Sequence, residues 1–96
     1  MTTRVIRYRT RADAADENAR LIGAVFAELD AKRPAGVRYA SIRLEDETFI
    51  HVVDGDDTAL PQLDAFQAFV RDIDARCIEG PRAVAATFVG SYGFGE

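Results

Sequence analysis

The sequence is poor in the side chains that most often carry chemistry. Among 96 residues it has one cysteine, one histidine and no tryptophan. A lone cysteine, Cys77, cannot close an internal disulfide, so nothing points to an oxidising compartment. It sits beside Arg76 at the end of an expected helix, without the N-terminal dipole that activates a thiol, and is expected to be inert. One histidine and scattered acids give no ligand cluster of recognisable spacing, so no metal is expected. Phosphate loops are missing too: Gly90, Gly93 and Gly95 follow a strand but open no helix. There is no basic excess. The net charge is −4 and the pI about 4.9, which argues against nucleic acid or an anionic membrane as partner. No apolar run approaches the roughly 20 residues of a membrane span, and the opening MTTRVIRYRT has no apolar signal core. A single soluble domain over residues 1–96, cytoplasmic and without a cofactor, is expected.

What is present is pattern. The stretch VRYASIRLEDETFIHVV, from Val37 to Val53, reads as two strands joined by the acidic turn Glu45-Asp46-Glu47. If those three residues turn the corner, Leu44 pairs with Thr48, Ile42 lies opposite Ile50, and Ala40 opposite Val52. One face is then Ala40, Ile42, Leu44, Ile50 and Val52. The other is Tyr39, Ser41, Arg43, Phe49, His51 and Val53. A two-residue turn would slip the register by one and mix the two sets. The all-apolar face is expected under helices, and the mixed face on the open side of the sheet.

Arg4 to Thr10 alternates as a first strand, Ile6 and Tyr8 against Val5, Arg7 and Arg9. Asp13 to Lys32 reads as a helix, with acids in its opening turns and a stripe of Ala15, Ala19, Ile22, Val25, Phe26 and Leu29. Pro34 and Gly36 stop it. A second helix is expected from an N-cap at Thr58 to about Cys77, burying Leu63, Phe66, Phe69, Val70 and Ile73, and ending at Gly80-Pro81. Arg82 to Tyr92 reads as the last strand, rich in small residues. The order β-α-β-β-α-β is the ferredoxin-like split arrangement, an α+β fold with a four-stranded antiparallel sheet. Right-handed crossovers put the first and third strands in the centre and both helices on one face.

VIRYRT, the helix ending AVFAEL, the long hairpin and the closing VGSYGF together resemble the small dimeric α+β barrel proteins related to antibiotic biosynthesis monooxygenases. The resemblance spans residues 4 to 94. It implies a homodimer that closes a barrel sheet face to sheet face. It also implies a small aromatic or polyketide-like ligand in the cavity there, oxidised or isomerised without a cofactor. The chain departs from the polyketide-oxidising relatives in lacking tryptophan. It departs from the haem-degrading ones in carrying Arg7 where they have an asparagine, and its only histidine on a strand. Haem degradation is therefore not expected.

His51 is the candidate catalytic base, since a neutral imidazole takes up a proton near pH 7 with little tuning. Facing a cavity, it would have Tyr39 and Ser41 beside it and Arg7 and Arg9 from the first strand. Arg43 and Phe49 complete the expected ligand-binding set. Arginine would hold an enolate or phenolate, Tyr39 would hydrogen-bond it, and Phe49 would stack on a flat ring. Three alternatives stand beside this reading. His51 is a hydrogen-bonded histidine buried against the partner, the arginines only pair with acids at a dimer rim, or the protein is a binding, stress-related or purely structural dimer.

Overall fold

A computed structural model describes residues 2–94. Strand β1 (Thr2–Thr10) leads through a 3-10 turn at Ala12–Ala14 into helix α1 (Ala15–Lys32). The hairpin β2 (Val37–Arg43) and β3 (Thr48–Gly55) follows. A 3-10 segment, Asp57–Gln62, then leads to α2 (Asp64–Val70), the short α3 (Ile73–Arg76) and β4 (Cys77–Ala86). The four strands form one antiparallel sheet in the order β2-β3-β1-β4. This is the expected ferredoxin-like topology, with β1 and β3 central.

Helix α1 ends where its sequence stops it. Arg33 adopts the left-handed conformation, and its N–H donates to the Leu29 carbonyl at 2.7 Å. Gly36, at φ 81, then turns the chain, and its carbonyl accepts from the Asp56 N–H at 2.7 Å. The helix packs Ala15, Ile22 and Val25 onto Tyr8, Phe49 and Val53 of the sheet, and Phe69 of α2 closes the same core. Glu28 of α1 reaches across to α2. It accepts from the Ala65 N–H at 2.8 Å and from Lys32 Nζ at 2.6 Å.

The hairpin register is the expected one. The Leu44 N–H donates to the Thr48 carbonyl at 2.8 Å, and Ala40 and Ile42 face Val52 and Ile50. The two faces, however, are exchanged. Phe49, His51 and Val53 are buried under the helices, with Tyr39 and Ser41 beside them. Ala40, Ile42, Ile50 and Val52 take the open side, together with Val5 and Val84. The reason is volume and satisfaction. The gap between a sheet and its helices is filled by large rings, which short β-branched chains cannot replace. His51 buries readily because every polar atom of its ring is hydrogen-bonded. Apolarity alone therefore misassigned the faces.

The second helix is shorter than expected. A 3-10 segment capped by Asp56, whose carboxylate accepts the Thr58 N–H at 3.0 Å, replaces its first turns. Thr58 is therefore not the cap. The helix breaks at Arg71, which is extended, and Asp72, which is left-handed at φ 62. Val70 is left exposed rather than buried. Strand β4 starts at Cys77 rather than Arg82. Gly80-Pro81 lies within it, where the register against β1 shifts between Arg7 and Arg9. The strand also ends sooner: Thr3 against Ala86 is its last pair with β1 among the described residues. Phe88, Val89, Tyr92 and Phe94 are exposed beyond it.

Candidate functional site

A row of near-parallel rings runs across the helix side of the sheet. Phe49 stacks on Tyr8 at 5.6 Å between centroids, and Tyr8 on His51 at 5.3 Å. His51 stacks on Tyr39 at 5.6 Å, and Tyr39 on Phe26 of α1 at 4.9 Å. All four pairs lie within 19° of parallel. Register makes the row: Tyr8 pairs with Phe49 and Ile6 with His51, while Ser41 on β2 lies opposite His51. Phe69 closes over the middle, tilted against both Tyr8 and His51.

A hydrogen-bond chain threads these rings. His51 Nδ1 lies 2.7 Å from the Tyr39 hydroxyl and 2.6 Å from Ser41 Oγ. His51 Nε2 lies 2.8 Å from the Tyr8 hydroxyl. Asn18 of α1, fully buried, donates Nδ2 to the Tyr8 oxygen at 2.8 Å. Arg76 donates Nε to Asn18 Oδ1 at 3.0 Å. Arg76 is itself anchored on the carbonyls of Phe69 and Arg71, with its guanidinium over the Phe69 ring. Burial pushes His51 down to about 4, so its ring is neutral at pH 7. Burial pushes Tyr39 up to about 12, with the Ser41 hydroxyl drawing it part of the way back. Tyr8 is raised by the same desolvation, against a smaller opposing pull from Asn18. The site is thus three neutral hydrogen-bonding groups around one neutral imidazole.

The expected ligand set divides between two faces. Tyr39, Ser41, Phe49 and His51 come together under the helices. Arg7 and Arg9 stand on the open side, Arg7 opposite Ile50 and Arg82, and Arg9 donating Nε to the Asp46 carbonyl at 3.0 Å. The sheet itself separates them from His51. Arg43 lies at the edge, bound to Asp16 at 3.1 Å and Glu47 at 2.6 Å, its guanidinium 5.8 Å from the Phe49 ring centre. His51 is packed against its own helices, not held for a partner, and is only 3% exposed.

Three residues of the chain escaped sequence reasoning as site members. Tyr8 was visible only as a phenol on an apolar strand face. Asn18 could have been found, because it occupies an apolar-stripe spacing between Ala15 and Ile22. Arg76 carries no such signal.

One open groove adjoins this network. It has a volume of about 320 Å³ and runs between the end of α1 and the start of β2, lined by Phe26, Leu29, Asp30, Arg33, Pro34, Val37 and Tyr39. Phe26 and Tyr39 belong to both: each lines the groove and stands in the row of rings, and the Tyr39 hydroxyl ends on His51.

No protein-family model matches the sequence, and no curated protein matches it. Solved structures do. An antibiotic biosynthesis monooxygenase superposes with a TM-score of 0.70 at 17% identity, over 94% of this chain and 100% of that one. The fold is that of the antibiotic biosynthesis monooxygenases. Other structures sharing this monooxygenase-like fold include Rv0793 from Mycobacterium tuberculosis, at a TM-score of 0.70 and 10% identity over 94% of this chain and 96% of that one. SnoaB, a cofactor-independent oxygenase from Streptomyces nogalater, matches at 0.62 and 18% identity over 96% of each chain. At these identities the likeness is one of fold, and activity must be argued from the site.

Proposed function

We propose that this protein binds a flat, weakly acidic aromatic molecule, such as an anthrone or quinol, in the groove beside Tyr39. We further propose that it oxidises that molecule with dioxygen and no bound cofactor. The observation that carries this reading is Tyr39, which lines the groove while its hydroxyl is held by His51, itself bonded to Ser41. The substrate ring would extend the row that Phe26 and Tyr39 already form. A hydrogen bond donated to the substrate oxygen favours its enolate or phenolate, against the opposing effect of desolvation. For an anthrone, the enolate carbon bonds to dioxygen, and the resulting hydroperoxide loses water to leave a ketone. A CH2 group and O2 thereby become C=O and H2O, with carbon oxidised and oxygen reduced. The proton released at enolisation goes to water and returns to the peroxide. His51 acts from behind Tyr39 as a positioning residue, and Arg7 has no part.

An oxygen electrode tests this with anthrones, and with quinols, which would pass two electrons and two protons to dioxygen to leave a quinone and hydrogen peroxide. Wild type should consume one O2 per CH2 oxidised, and Tyr39→Phe should lose on the order of 10²-fold in rate, the typical effect of removing one oxyanion donor. An unchanged rate in Tyr39→Phe would reject the role of the hydroxyl. A second reading, non-catalytic binding in the same groove, is favoured by the depth at which His51 is buried. Thermal stabilisation by such a ligand without oxygen uptake would select it. In either case we propose a homodimer through the open sheet face, supported by the apolar Val5, Ile42, Ile50, Val52 and Val84 there.

A further inference from the structure

The chain from Arg76 to His51 decides where the imidazole proton sits. A guanidinium only donates. The Asn18 atom 3.0 Å from Arg76 Nε is therefore the amide oxygen. Its NH2 group then faces the Tyr8 oxygen at 2.8 Å and donates to it. The Tyr8 hydroxyl proton needs an acceptor of its own. Among the described residues, the group in reach besides Asn18 is His51 Nε2 at 2.8 Å. Nε2 must then be the bare nitrogen. The neutral ring carries its one proton on Nδ1, where the Ser41 and Tyr39 oxygens lie at 2.6 and 2.7 Å. The opposite tautomer would put two donors on the Tyr8 oxygen and leave its proton buried without a partner.

We propose that Arg76, acting through Asn18 and Tyr8, selects the Nδ1–H tautomer of His51 and so makes the imidazole a donor toward Tyr39. Once Arg76 fixes the Asn18 amide, each following group is left with one arrangement, so the choice made at Arg76 propagates without any change of shape. Arg76 is fixed for this by the Phe69 and Arg71 carbonyls at the end of α2. The break between α2 and α3 thereby acquires a purpose, since it turns α3 so that Arg76 points back to Asn18. The effect on turnover rests on the proposed function. The tautomer itself is a property of the folded chain.

The test is nitrogen-15 NMR of the imidazole, unambiguous because the chain has one histidine. At pH 7 the wild type should show Nδ1 protonated and Nε2 bare. Asn18→Asp replaces a donor with an acceptor. Tyr8 should then donate to the carboxylate, Nε2–H should donate to Tyr8, and the tautomer should reverse. Arg76→Ala frees the Asn18 amide to turn and should give a mixture, while Arg76→Lys, still only a donor, should restore Nδ1–H. Should Asn18→Asp not fold, the contrast between the two Arg76 variants decides alone. An Nε2–H wild type, an unreversed Asn18→Asp, or an Arg76→Ala that keeps pure Nδ1–H would overturn the proposal. Oxygen uptake is read separately. The expected tautomer in an inactive protein rejects only the oxidase reading, and activity with the opposite tautomer rejects only this one.

Discussion

His51 is worth most to the protein as a neutral ring, and this has a pH signature. Its folded value is about 4 against an unfolded value of 6.5. Between those values the unfolded chain binds the extra proton, so acid favours unfolding there. The stabilising difference is complete above pH 6.5 and disappears as the pH falls through 4. Across that window the loss amounts to about 3 kcal/mol, because each pH unit between the two values contributes about 1.4 kcal/mol. Urea unfolding at pH 7 and pH 4 should show wild type losing about that much more than His51→Gln, which cannot titrate. Equal losses would mean the ring is not desolvated. In the sequence, His51 stood out by being alone, and its neighbours Tyr39 and Ser41 followed from hairpin register. Its burial could not be read, because a histidine alternating with Phe49 and Val53 looks the same whether a helix or a partner covers it. Arg76 was beyond reach for a plainer reason: it meets Asn18 across 58 positions, and no spacing rule spans that.

Among the elements, the hairpin divides the legible from the illegible. Turn length set the register, and both were readable. The choice of face depended on what fills the gap beneath the helices, which is a tertiary quantity. Adjacent substitutions separate the faces. Phe49→Ala removes a ring that is 2% exposed and stacked on Tyr8, and should cost about 3–5 kcal/mol at any protein concentration. Ile50→Ala lies on the open side, so its cost should depend on concentration, through the second copy of the proposed dimer. A concentration-independent loss at Ile50 as large as that at Phe49 would place the core on the wrong side. Helix α2 teaches the complementary lesson. Its apolar spacing continues through Ile73, yet the backbone leaves the helix at Arg71 and Asp72. Aspartate tolerates the left-handed region better than residues without a short polar side chain. Asp72→Gly should therefore be neutral or slightly stabilising in urea, and Asp72→Ala destabilising by about 1 kcal/mol. An alanine variant as stable as wild type would mean that the break does not depend on that conformation.

For the molecule as a whole, the open sheet face is the unfinished part. A chain of 96 residues buries only about two thirds of its unfolded surface, so further burial between copies is worth having. The face offers a contiguous apolar band, with Val5 directly opposite Val52 and Val84, and Ile42 opposite Ile50. Ile42 and Val84 are each more than half exposed, which supports the proposed interface on this face. Its charges differ from those of the chain at large: Arg7 sits directly across from Arg82 within a protein of net charge −4. Like charges so placed repel within one copy, so in the proposed dimer the attraction would come from the apolar band. Val5 is the residue to change, because it lies on a central strand in the middle of the band. Val5→Glu should leave the far-ultraviolet spectrum intact, since the side chain points away from the core. Sedimentation should show wild type as a dimer and Val5→Glu as a monomer, because the variant would bury a carboxylate against apolar side chains. A wild type that sediments as a monomer at all concentrations would remove the dimer and leave the band exposed. A variant that still dimerises would place the contact elsewhere, and the exposed aromatics beyond Ala86 would be the next surface to test.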